Sequence, residues 1–139
     1  LMTGLCNRGS GEKKITEFLK EKTGGLLCLI DCDKFKSIND NYGHSVGDKV
    51  IIAIAEKLQK TCRDSDVVLR LGGDEFAMFI PGMLEQRVAE KFFERFFFKL
   101  CILNSFESYE LLNTPKNLNF FELRKDRNPQ TSDLRHSLY

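Results

Sequence analysis

Three acidic residues carry the chemistry that this sequence can do. Asp74 and Glu75 follow Gly72 and Gly73, and these four sit between two apolar runs, residues 67–71 and 76–80. Strand-forming runs around a turn-forming quartet mark a β-hairpin. The glycines permit positive φ and let a ligand approach the backbone without meeting a Cβ. Two adjacent carboxylates on a rigid tip are costly without a cation beside them, and a divalent metal suits them. A second acidic position lies upstream, where the apolar run 25–30 ends in Asp31-Cys32-Asp33. Residues two apart on a strand share a face, so Asp31 and Asp33 point one way and Cys32 the other. If this strand lies beside the hairpin, Asp31, Asp74 and Glu75 converge. Three carboxylates on one patch point to Mg2+ or Mn2+ and a phosphorylated substrate.

The elements that must position these acids are legible around them. Gly9-Ser10-Gly11 can start a helix, residues 12–22 carry Ile15, Phe18 and Leu19 at helical spacing with lysines opposite, and Thr23-Gly24-Gly25 ends that helix. The first expected strand covers 26–30. Residues 34–43 read as a short helix closed by Gly43. Ser45 can cap a longer helix running to about Thr61, with Val50, Ile54 and Leu58 spaced by four. A polar turn, Arg63-Asp64-Ser65-Asp66, leads into the hairpin. Pro81-Gly82 ends the hairpin, and residues 84–100 follow as a helix with Val88, Phe92, Phe96 and Leu100 at intervals of four.

After that the composition changes. No glycine follows Gly82, and eight of the twelve phenylalanines fall at or after Phe92. Residues 104–139 show no strand or helix period. So long a structureless stretch is rare in a compact domain, so residues 101–139 are expected to form a poorly ordered tail outside a domain spanning 1–100.

Bulk properties exclude several classes. A chain of 139 residues, 42% hydrophobic and 29% charged, suits one domain with one core. A net charge of +1 gives no basis for bulk attraction to a nucleic acid polymer or a membrane surface. No apolar run approaches a membrane span, and the first eight residues lack a signal-peptide pattern, so this segment is expected in the cytoplasm. The chain opens with Leu1, as a piece of a longer protein would, including the cytoplasmic part of a membrane-bound sensor. The five cysteines are scattered and form no zinc-type pair, and reduced thiols are expected.

Four ordered blocks then resemble the GGDEF family, the diguanylate cyclase domains of bacterial signalling proteins. They are residues 1–8 (Leu-Met-Thr-Gly-Leu-Cys-Asn-Arg), 31–40 (Asp-Cys-Asp-Lys-Phe-Lys-Ser-Ile-Asn-Asp), 43–48 (Gly-His-Ser-Val-Gly-Asp) and 70–76 (Arg-Leu-Gly-Gly-Asp-Glu-Phe). The resemblance covers residues 1 to about 96. It implies an α/β, palm-like nucleotide-cyclase fold with a βαββαβ core. It implies condensation of two GTP into cyclic di-GMP, with each subunit of a homodimer holding one GTP. By motif match, Asp31 and Asp74 would coordinate two Mg2+ ions, with the Cys32 carbonyl helping and Glu75 supporting metal binding and the reaction. Gly72 and Gly73 would admit the triphosphate, and Lys36 would offset its charge. Asn39 and Asp48 would read the guanine edge, since a carboxylate accepts from the N1 and N2 donors. Arg63 and Asp66 match the Arg-x-x-Asp of the family's inhibitory product site; the same pattern also fits a solvated surface turn. Asp33 and His44 are expected to be structural.

The resemblance stops near Phe97. The family's later Thr-x-Ser-x-Gly strand, its Ala-Asp-x-Ala-Leu-Tyr helix and its Lys-x-x-Gly-Arg segment have no counterpart here. The expectation is a core incomplete at its C-terminal end, lacking a central strand and basic residues for the triphosphate, through truncation or a shifted reading frame. A catalytically inactive module binding GTP or cyclic di-GMP, or a non-functional fragment, is the alternative to an active cyclase.

Overall fold

A computed structural model of the chain describes residues 2–32, 34–100, 106–112 and 119–121. Asp33 lies outside these, as do residues 101–105, 113–118 and 122–139 of the expected tail. The sheet is built around β2 (Gly25–Asp31), with every residue from Gly25 to Ile30 buried. A strand buried on both faces reads as a continuous apolar run, and Leu26 to Ile30 is one.

The hairpin forms as its sequence dictates, from β3 (Val67–Gly72) and β4 (Glu75–Pro81). β4 then pairs antiparallel with β2 in an unbroken register from Gly25↔Pro81 to Asp31↔Glu75. A two-residue strand, β1 (Cys6–Asn7), lies parallel to β3 on the outside. Among the described residues the sheet has the order β1-β3-β4-β2-β5-β6, where β5 is Phe106–Leu112 and β6 is Asn119–Phe121.

Residues 104–139 show no strand period, yet β5 pairs antiparallel with β2. Ladder hydrogen bonds come from the backbone, which any non-proline residue supplies. A segment without clean alternation can therefore complete a sheet whose other strands set its place. β2, the helices after it, β3, β4, α4 and β5 follow the βαββαβ order.

Helices cover both faces. α1 (Arg8–Lys20) starts earlier than its apolar period, because Asn7 caps it by accepting from the Ser10 N–H at 2.8 Å. Its Ile15 packs with Leu27, Leu29, Leu69, Ala77 and Phe79, and Phe18 meets Phe79 with ring centroids 5.8 Å apart. The opposite face packs Leu26, Cys28, Ile30, Phe76 and Met78 against α3 (His44–Thr61) and Ala89 of α4 (Gln86–Leu100). α3 begins one residue before Ser45, which does not cap it; Gly43 joins α2 (Phe35–Tyr42) to α3 directly at φ 84°. That positive φ is why a glycine stands at the junction.

The period-2 alternation of β2 assigns its last residue. Leu27 and Leu29 face α1, so Asp31 shares their side, while Cys32 is buried with Leu26, Cys28 and Ile30. Cross-strand partners point the same way, so Glu75 also lies on the α1 side.

Candidate functional site

Asp31 and Glu75 meet as directly opposed partners where β2 ends and β4 begins. Both are partly exposed, as is Asp74 in the turn before β4. The turn is fastened to β2, because the Cys32 N–H donates to the Asp74 carbonyl at 3.3 Å. The Cys32 carbonyl in turn accepts from the Phe35 N–H at 3.3 Å. The three carboxylates therefore share one corner of the sheet.

The electrostatics agree. Partial burial first, and then the charges of Asp31 and Asp74, push the Glu75 carboxyl above its ordinary value. Arg8 pulls it back down. Like charges opposed across strands are destabilising, so this corner favours a cation. Among the described residues no three His, Cys, Asp or Glu side chains form a ready-made metal cage. Mg2+ does not need one, since it keeps several waters and binds through one or two carboxylates plus substrate phosphates. Carboxylate and carbonyl oxygens are the donor type that a hard divalent ion takes.

The turn itself is braced by an arginine. The Arg70 guanidinium donates to the Gly73 carbonyl from Nε at 3.0 Å and from a terminal nitrogen at 2.6 Å. Gly73 has φ 52°, a conformation in which a side chain is strained. A Cβ at Gly72 or Gly73 would meet open space, so the approach to this backbone is clear. Arg70 and Arg8 are the residues to which sequence reasoning gave no part. For Arg8 a signal existed: a cation in the first turn of a helix opposes the macrodipole, so its place there has another cause. Arg8 also pairs with Glu12 at 2.8 Å.

The other expected residues fall in two further groups. Lys36 lies exposed in the first turn of α2. Asn39 of α2 is next to the turn of α3 that carries Gly47 and Asp48, because a Cβ on Gly47 would strike its side chain. Asp48 is exposed, and so is His44. Arg63 and Asp66 stand in the turn between α3 and β3, where the Arg63 N–H donates to Asp66 Oδ2 at 2.8 Å and the Asp66 N–H to the Arg63 carbonyl at 3.0 Å. One carboxylate oxygen of Asp66 thus closes its own turn, while the Arg63 side chain is exposed. A cleft of about 290 Å³ beside this turn is lined by Lys14, Gln59, Arg63 and Asp66 among others, so α1 contributes a lysine that no motif indicates.

Comparison with known proteins agrees with this layout. The family model of the diguanylate cyclase GGDEF domain matches residues 1–103. The chain belongs to the GGDEF family. An Escherichia coli K12 relative named "Probable diguanylate cyclase DgcC" is 47% identical over 85 residues, which are 58% of this GGDEF chain and 23% of that protein. The chain therefore spans less than a quarter of that relative's length. The solved GGDEF domain of YfiN (also TpbB) from Pseudomonas aeruginosa is 32% identical with a TM-score of 0.66, covering 78% of this chain and 73% of that one. The GGDEF domain of DgcB from Caulobacter crescentus, solved in complex with cyclic di-GMP, is 30% identical with a TM-score of 0.59 and coverages of 69% and 58%.

Proposed function

We propose that this GGDEF domain condenses two GTP into cyclic di-GMP, releasing two pyrophosphates, as a homodimer in which each protomer holds one GTP. The observation that carries the proposal is the shared corner of Asp31, Asp74 and Glu75, with the open Gly72–Gly73 turn beside it. Asp31, Asp74 and Glu75 would hold Mg2+ or Mn2+, with the Cys32 carbonyl alongside. When bound, the metal neutralises phosphate charge and polarises the α-phosphate. Phosphoryl transfer needs positioning and charge compensation more than covalent help, and the rest of the domain supplies the positioning. Gly72 and Gly73 admit the triphosphate, Lys36 offsets its charge, and Asn39 and Asp48 select guanine. The 3′-hydroxyl of each GTP faces the α-phosphate held by the partner protomer. Arg63 and Asp66 bind cyclic di-GMP as an inhibitory product, consistent with their exposed guanidinium and closed turn.

Residues 1–100 carry the catalytic portion, and residues 101–139 lie outside its motifs while contributing β5 and β6 to the sheet. Among the described residues no helix is long and apolar enough to cross a membrane. We place this segment in the cytoplasm, where GTP is available.

The test is turnover. Purified protein with GTP and Mg2+ should yield cyclic di-GMP by chromatography, and Asp74→Ala should abolish it. Unchanged turnover in Asp74→Ala overturns the metal assignment. No product from the wild type, with cyclic di-GMP binding that Arg63→Ala removes, makes the domain a binding module instead.

A further inference from the structure

Gly47 and Asn39 face each other where α2 meets α3. Gly47 is buried, and a Cβ built on it overlaps Asn39 Oδ1, with Phe35 Cζ only 3.3 Å away. The Asn39 side chain therefore occupies the space that any other residue at 47 would fill. The local backbone gives little room to yield. The Gly43 N–H donates to the Asn39 carbonyl at 2.8 Å, and the Gly47 N–H donates to the Gly43 carbonyl at 3.2 Å.

Asn39 Oδ1 is also unusual in itself. It is buried without a hydrogen-bond partner, the one such side-chain atom among the described residues. A buried acceptor left unsatisfied is costly and calls for a reason. With Oδ1 held against α3, the amide nitrogen is the end available to a ligand. Asp48 follows Gly47 directly, is exposed, and as a carboxylate only accepts. A donor beside an acceptor complements guanine, which presents O6 as acceptor and N1–H and N2–H as donors. Adenine presents a donor where guanine has O6.

We propose that Gly47 is a positioning residue for nucleobase selection: lacking a Cβ, it lets the Asn39 carboxamide lie against α3 with its nitrogen turned to the base. The proposal rests on the guanine-binding function above, so its test separates the two. Binding of non-hydrolysable GTP and ATP analogues with Mg2+ is measured by calorimetry for wild type, Gly47→Ala, Asn39→Ala and the double variant. Thermal melting of all four is recorded without nucleotide. Gly47→Ala is expected to lower the GTP-over-ATP preference by about tenfold, because a mispaired polar group at the base is what discriminates. Added to Asn39→Ala, it is expected to change that preference by less than about twofold, since coupled residues are non-additive. Gly47→Ala should also lower Tm, and by less than half as much in the Asn39→Ala background.

An equal loss of preference in both backgrounds, or none in either, overturns the proposal. Should Gly47→Ala fail to fold, the double variant is expected to fold, and its failure also overturns the proposal. Wild type that binds neither analogue counts against the function proposed above. The melting cycle then decides, and a loss of Tm that persists in full without the Asn39 carboxamide refutes the interlock.

Discussion

Removing one charge from the acidic corner should strengthen the fold while it ends the chemistry. Asp31 and Glu75 are opposed partners on antiparallel strands, which places their Cβ atoms about 4.5–5.5 Å apart. Two unit charges about 5 Å apart repel by roughly 1 kcal/mol in a water-like medium. Both side chains are partly exposed, and solvent screening with the attraction of Arg8 reduces the net term to about 0.5 kcal/mol. Glu75→Gln removes the charge and keeps the shape. With metal chelated at pH 7 and low salt, urea denaturation should show Glu75→Gln more stable than wild type by about 0.5 kcal/mol.

The pH dependence follows from the direction of the shift. Glu75 holds its proton more tightly folded than unfolded. Its contribution to stability is therefore lost as pH rises from the ordinary carboxylate range through the raised value. The advantage of Glu75→Gln should appear across that window and fade below it, where both states bind the proton. Added Mg2+ should stabilise wild type more than Glu75→Gln. A Glu75→Gln protein less stable than wild type by more than about 1 kcal/mol at pH 7, beyond what one screened pair can explain, would refute the reasoning. A gain that ignores pH would refute it equally.

Three further outcomes are expected. Arg70→Ala removes both hydrogen bonds to the Gly73 carbonyl and should cut turnover with GTP by about tenfold or more, with partial rescue by Arg70→Lys; unchanged kinetics would show that the turn holds without its brace. Gly11→Ala puts a Cβ into the Leu69 side chain and should destabilise by about 1–3 kcal/mol in urea titration, whereas no loss would mean that α1 moves freely over the sheet. Burial first, and then the charge of Asp66, push the Cys62 thiol up to about 12, so it should react slowly with a thiol reagent at pH 8 when folded and quickly in urea; fast labelling of native Cys62 would contradict its environment.

Much of the site was legible in the sequence alone. Turn residues between apolar runs announced the hairpin, and its acids are where that reading put them. Asp31 at the end of an apolar strand was equally plain, since period-2 alternation is a local property. The start of α1 was read at Gly9-Ser10-Gly11 rather than at Arg8, because Asn7 acts through one side-chain hydrogen bond, which leaves no periodic trace. Ser45 looked like a cap, but Gly43 reverses the chain just before it and takes that position. β5 was missed because its pairing, such as Cys28↔Tyr109, uses the backbone across a long sequence gap.

The sequence by itself determined which segments are strand, turn and helix around the site, and which acids stand at their ends. Those choices depend on residues a few positions apart, through alternation, helical period and turn chemistry. Only the tertiary structure decided that β4 lies against β2 in the register Asp31↔Glu75, that Arg8 moderates the corner, that Arg70 grips the turn, and that Gly47 makes room for Asn39. The reason is that charge and volume act through space, and proximity in space is set by packing of the whole sheet rather than by neighbours along the chain.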